Sequence, residues 1–159
     1  MLAGCFGGDG DDGGIGGDAG LRDAPPTTAV AMAHQLCISE TNKDRATKGK
    51  PAVVESAQLE TYADAGAMHD FATSPHDHFS MTSGGGIAFA ENECPQQGNW
   101  NLSFGNGDLG MTVAACVKAF FDEGPGGGHY ENMMGNYGTL GCGIYVQGQQ
   151  LTIVQDYGR

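Results

Sequence analysis

The sequence predicts an α+β domain with an antiparallel sheet, and three observations carry that expectation. Apolar residues recur at helical spacing first, β-rich runs come late, and 28 glycines in 159 residues are too many for a mostly helical chain. Helices followed by strands argue against a parallel doubly wound sheet.

Each element has its own signal. Val30, Ala33, His34, Cys37, Ile38 and Thr41 draw a helix over 29–47, which Gly49 and Pro51 stop. Ser56 is an N-cap candidate for a second helix, with Leu59, Tyr62, Ala63, Gly66 and Ala67 on one face to about Phe71. Asp108 can cap a third, whose stripe Val113, Cys116, Val117 and Phe120 ends before Gly124-Pro125. A short strand is expected over Ile87 to Asn92, after the flexible Gly84-Gly85-Gly86. The runs 143–147 and 151–155 around Gly148 read as a hairpin.

The length suits one domain with a single core. A formal charge of −12 repels phosphate backbones and anionic lipid surfaces, which argues against nucleic acid as a partner. Nothing approaches the roughly 20 consecutive apolar residues of a membrane-spanning helix. Nine glycines and five aspartates crowd the first 28 residues, so 6–28 is expected to be a solvated linker and 29–159 the globular domain. The ordered spacing of a calcium loop is missing there. Ahead of it, residues 1–5 end in Leu2-Ala3-Gly4-Cys5, which resembles the lipobox of bacterial lipoproteins. That resemblance implies a lipid anchor on Cys5, an extracellular or bacterial-envelope location, and membrane contact only through the anchor.

Cys37, Cys94, Cys116 and Cys142 contain no C-x-x-C pair, so zinc-ribbon and thioredoxin readings fail on spacing. In an exported domain they form two disulfides, and the alternative is four reduced buried thiols. Of three connectivities, Cys94 with Cys116 and Cys37 with Cys142 is preferred. The first closes a short loop, and the second ties an early helix to a late strand.

Candidate chemistry gathers in Ser74-Pro75-His76-Asp77-His78, in Glu91, in Glu123 and in Gly128-His129-Tyr130. Imidazoles and carboxylates are the usual makings of metal and acid–base sites, although loop histidines and solvated acids give the same pattern. The glycine triplet 126–128 is not a phosphate loop, since no Lys or Ser/Thr follows in the required position.

The order Asn42-x-x-Arg45, Gly49-x-Pro51, Leu59-x-x-x-Ala63, His78, Ala90-Glu91-Asn92, Phe120-x-x-Glu123, Gly128-His129-Tyr130 and Gly141-Cys142-Gly143 resembles the CAP superfamily. This is the SCP domain of cysteine-rich secretory, antigen-five and pathogenesis-related-one proteins, here in the form of a bacterial member. The resemblance implies a three-layer α-β-α sandwich with a central antiparallel sheet and a cleft lined by His78, Glu91, Glu123 and His129. His76 is the alternate for the first position. It further implies a divalent metal such as zinc on His78 and His129, an open site that can bind or hydrolyse. No Ser sits in a nucleophile elbow, Ser80 and Ser83 included. The resemblance implies a mostly non-enzymatic family, so a binding module ranks first, ahead of a metal-assisted or Glu/His hydrolase and of a surface interaction protein.

Fourteen acids against six Lys and Arg leave −8 on residues 29–159, so a small neutral or cationic amphipathic ligand, such as a lipid or sterol, is favoured. Phe79, Met81, Ile87, Phe89, Met133 and Met134 are candidates for an apolar groove, or else ordinary core.

Overall fold

Ser56 and Asp108 act as the predicted caps. The Ser56 hydroxyl accepts from Leu59 N at 3.4 Å and starts α2 (Ala57–Ala72), and the Asp108 carboxylate accepts from Met111 N at 2.8 Å and starts α4 (Leu109–Asp122). A computed structural model describes residues 27–94, 100–101 and 105–159. Cys5 and all but the last two residues of the expected linker lie outside the described residues. The first helix, α1 (Thr27–Thr47), opens two residues before the expected domain boundary.

The β-rich runs form the central hairpin, β4 (Thr139–Gln147) and β5 (Gln150–Gly158), each longer than its sequence signal. The sheet runs β1-β4-β5-β2, with β1 (Val54–Glu55) and β2 (Ala90–Cys94) at its ends, and β3 (Trp100–Asn101) pairs with the far end of β5. All pairings are antiparallel except the edge pair β1–β4, which is parallel. That edge departs from the wholly antiparallel expectation, because a whole helix separates β1 from the sheet's other strands in sequence.

Alternation along β4 sets the layers. Leu140, Cys142 and Ile144 join the main core with residues of α1, α4 and α5 (Gly128–Met134). Gly141 and Gly143 face α2 at a distance no side chain would allow. A Cβ on Gly143 would lie 2.0 Å from the Ala63 carbonyl oxygen. Val154 of β5 packs with Ala63 and Ala67 on that same face. The result is the α-β-α sandwich, with α2 on one side and α1, α4 and α5 on the other.

Two disulfides bind the layers in the preferred pairing. Cys37–Cys142 ties α1 to β4, and Cys94–Cys116 ties β2 to α4. The Asn42-x-x-Arg45 motif is structural. The Asn42 amide pairs with both the N–H and the carbonyl of Val53, while the fully buried Arg45 donates to the carbonyls of Pro51, Met133 and Gly135.

Candidate functional site

The strand β2 organises the site. Glu91 is in register with Asp156 of β5, so Glu91 and Glu93 lie on the α2 face of the sheet and Asn92 on the opposite face. The predicted strand over 87–92 begins only at Ala90. Residues 84–86 wind through left-handed backbone, and Ile87 and Ala88 are still hydrogen-bonded to Gly84 O.

Above Glu91 and Glu93 lies the turn that leads into α3 (Asp77–Thr82). His76 stands there in the left-handed region, φ 63°, ψ 11°, a conformation that costs a non-glycine residue about 1–3 kcal/mol. Two carboxylates hold it: Glu93 Oε2 accepts from His76 N at 2.6 Å, and Glu91 Oε1 lies 2.7 Å from Nδ1.

His78, the expected first histidine of the cleft, makes no such contact, whereas its alternate His76 does. Two residues on, the first turn of α3 carries the His78 ring towards α2, where it lies against Gly66 and has its centroid 4.7 Å from that of Tyr62. Its backbone N–H donates to Asp70 at 2.8 Å, and its Nδ1 is buried without a hydrogen-bond partner.

A second pair forms on the opposite face. Glu123 follows the last turn of α4, and a glycine turn brings His129 back to it. Glu123 Oε2 accepts from His129 N at 3.0 Å, while Oε1 is 2.6 Å from Nδ1. Gly127 is required in that turn, since a Cβ there would lie 2.5 Å from Glu123 Cβ. Phe120 packs on the imidazole at 4.7 Å between centroids, in the position the sequence assigned to an apolar wall.

Asn92 joins the two halves. Its amide donates to the His129 carbonyl and to Gln155 Oε1, both at 3.1 Å. Asn132 of α5 donates to Glu91 O and to Asn92 Oδ1, both at 3.0 Å. Glu93 from the first cluster then shares one cavity of about 330 Å³ with Glu123, His129, Phe120 and Trp100.

The halves differ in charge. Burial works against ionisation of Glu123, but the hydrogen bonds from His129 outweigh it and hold the carboxyl below the ordinary range. Around His76 burial wins for the acids. It raises Glu91 against the His76 hydrogen bond, lifts Glu93 to about 7 and lifts Asp156 to about 9, the last helped by the charges of Glu91, Asp70 and Glu93. The hydrogen bond to Glu91 raises His76 despite burial.

A divalent metal fits the first half on an observation of its own. His76, Glu91 and Glu93 each offer a ligand atom, all within 4.8 Å of one another, and Glu91 Oε2 is buried without a hydrogen-bond partner. Among the described residues no other group of three meets that spacing.

The candidate apolar groove does not form as one surface. Met133 and Met134 are core, whereas Met81 and Phe89 are exposed, the latter under the Arg159 guanidinium. A larger apolar hollow of about 570 Å³ between α1 and the start of α4 contains no histidine or glutamate.

The sequence profile of the cysteine-rich secretory protein family, CAP, matches residues 38–157. The chain belongs to the CAP family. The match spans both His–Glu pairs of this CAP domain and three of its four paired cysteines, with Cys37 one residue outside. A search of curated proteins found no match.

Sequence reasoning missed Glu93, Asp70 and Asp156. Glu93 had a readable signal, since acids two apart in a strand share a face. Asp156 had a weaker one, a lone acid inside the β-rich run Leu151–Tyr157.

Proposed function

We propose that this CAP domain is an exported binding module that takes a small neutral or cationic amphipathic ligand, such as a lipid or sterol headgroup region, in the cavity beside its Glu123–His129 pair. The observation that carries this reading is the cavity itself, in which Trp100 and Phe120 offer apolar surface while Glu123 and His129 supply the polar contacts that orient a ligand. The net charge disfavours an anion. Export is supported by the two disulfides, which belong to an oxidising compartment. The Leu2–Cys5 sequence supports a lipid anchor at a bacterial envelope. A divalent ion such as zinc belongs to the same reading and would supply a Lewis-acid contact for a ligand oxygen.

Ser80 and Ser83 are exposed and hydrogen-bond to no imidazole, which supports binding over acyl transfer. The specific observation favouring a hydrolase instead is the charge contrast, an ionised Glu123 across the cavity from a Glu93 poised near neutrality.

Trp100 is the only tryptophan of the chain, so its emission reports on the cavity directly. Titration with a sterol, an alkylammonium and a chain-matched alkyl sulfate should shift the emission with the first two and not with the third. Phe120→Ala should weaken binding at least tenfold. No response to any of the three, or casein or ester turnover lost in Glu91→Gln and Glu123→Gln, would replace the binding module with an interaction protein or a hydrolase respectively.

A further inference from the structure

Glu91 and Glu93 point to the same face of β2 and converge on a single imidazole, and each side chain is only 2% exposed. One histidine cannot neutralise two buried carboxylates, and a buried charge without compensation is expensive. Unpartnered carboxyl oxygens continue behind them. Asp156, opposite Glu91 in the sheet, is fully buried with neither carboxyl oxygen hydrogen-bonded, and Glu91 Oε2 has no partner either.

We propose that Glu93 is the third protein ligand of a divalent-cation site formed with His76 and Glu91, built entirely on the α2 face of β2 and without His129. The inference deepens the reading above and rests on the cleft holding a divalent ion. Its geometry is close to that of a coordination shell. Ligand atoms around a tetrahedral zinc with bonds of about 2.0–2.2 Å lie about 3.3–3.6 Å apart. His76 Nδ1 stands 2.7 Å from Glu91 Oε1 and 3.9 Å from Glu93 Oε2, which brackets that range. A neutral imidazole and two carboxylates balance the charge of one divalent ion, and this mixed nitrogen–oxygen set suits zinc or manganese better than calcium.

Glu93 also lines the ligand cavity, whereas His129 lies across that cavity and is held by Glu123. The ion and an organic ligand would therefore occupy adjoining compartments that share the Glu93 wall. Glu93 lies outside the four residues implied by the family resemblance, so its role distinguishes this chain's own site.

The experiment is calorimetric titration of the full chain with zinc, run on the parent and on Glu93→Gln, His76→Gln and His129→Gln, with near-UV circular dichroism as the check on folding. One zinc per chain is expected, with affinity reduced at least a hundredfold in Glu93→Gln and in His76→Gln and changed less than threefold in His129→Gln. Cobalt(II) loading gives a second readout, because its visible spectrum should change in Glu93→Gln and stay the same in His129→Gln. If Glu93→Gln fails to fold, Glu93→Asp should fold and still lose at least tenfold. Zinc lost in His129→Gln but retained in Glu93→Gln would overturn the proposal and leave a metal-holding cleft standing. Absence of zinc binding in the parent would overturn both, while the Trp100 titration in a chelator tests the organic ligand independently.

Discussion

Replacing Gly143 by alanine tests the packing on which the whole site depends. The new Cβ would lie 2.0 Å from Ala63 O, 2.1 Å from Ala63 C and 2.5 Å from Asp64 N. All three are backbone atoms of α2 and cannot swing aside as a side-chain tip could. Restoring an ordinary contact of 3.4 Å requires α2 to retreat from β4 by about 1.4 Å. That retreat would pull Leu59, Ala63 and Ala67 from their packing and stretch the 3.0 Å hydrogen bond from Ile144 N to Asp64. Overpacking typically costs 1–3 kcal/mol, and a rigid obstacle places this case at the top, at about 3 kcal/mol. Against a total stability of about 5–15 kcal/mol the loss is large, and it corresponds to a drop in Tm of roughly 10 °C. Urea unfolding followed by near-UV circular dichroism measures it. Gly128→Ala is the matched control, because nothing lies within 4 Å of its Cβ position and its φ is not positive. A loss below about 1 kcal/mol in Gly143→Ala, or equal losses in both variants, would refute the argument that α2 is seated by the glycines of β4.

Three further outcomes are expected. Removing Cys37–Cys142, which closes a span of 105 residues, should cost more than removing Cys94–Cys116 with its span of 22; loop-closure entropy gives about 4.8 against about 3.4 kcal/mol, checked by urea midpoints of the two double Cys→Ser variants. Arg45→Met leaves the carbonyls of Pro51, Met133 and Gly135 without their donor and should cost roughly 3 kcal/mol, with thermal unfolding as the measure. His34 is buried between Glu60 and Asp64; burial pulls its pKa down, but the Asp64 hydrogen bond and the neighbouring carboxylates outweigh burial and raise it. Its stabilising contribution is therefore full below about pH 6.5 and is lost as pH rises through the higher folded value, so His34→Gln should flatten the fall in urea midpoint over that window.

How far the sequence spoke depended on whether a feature was local. A cap and a stripe are local, so Ser56 with α2 and Asp108 with α4 were legible almost to the residue. So was the hairpin, whose two β-rich runs around Gly148 need no partner to be seen. The preferred cysteine pairing followed from which segments a bridge would tie, and the sandwich formed it. Short elements were not legible. Helices α3 and α5 have six and seven residues, too few for a periodic signal, and β1 and β3 are two-residue strands defined only by the strands they join. The site divides along the same line. Glu91, Glu123 and His129 stand in motifs whose backbone is dictated nearby, by a strand, a helix end and a glycine turn. The choice between His76 and His78 is not local, because two residues in a turn differ in direction rather than in spacing. Glu93 and Glu91 hold one histidine over β2, while Asp70 and the gap at Gly66 draw the other onto α2. Spacing along a chain determines which residues can meet. Only the packed layers set the direction in which each side chain leaves the backbone, and that direction brought Glu93 and Asp156 to one site, which a shared strand face and a lone acid in a β-rich run could hint at but not place.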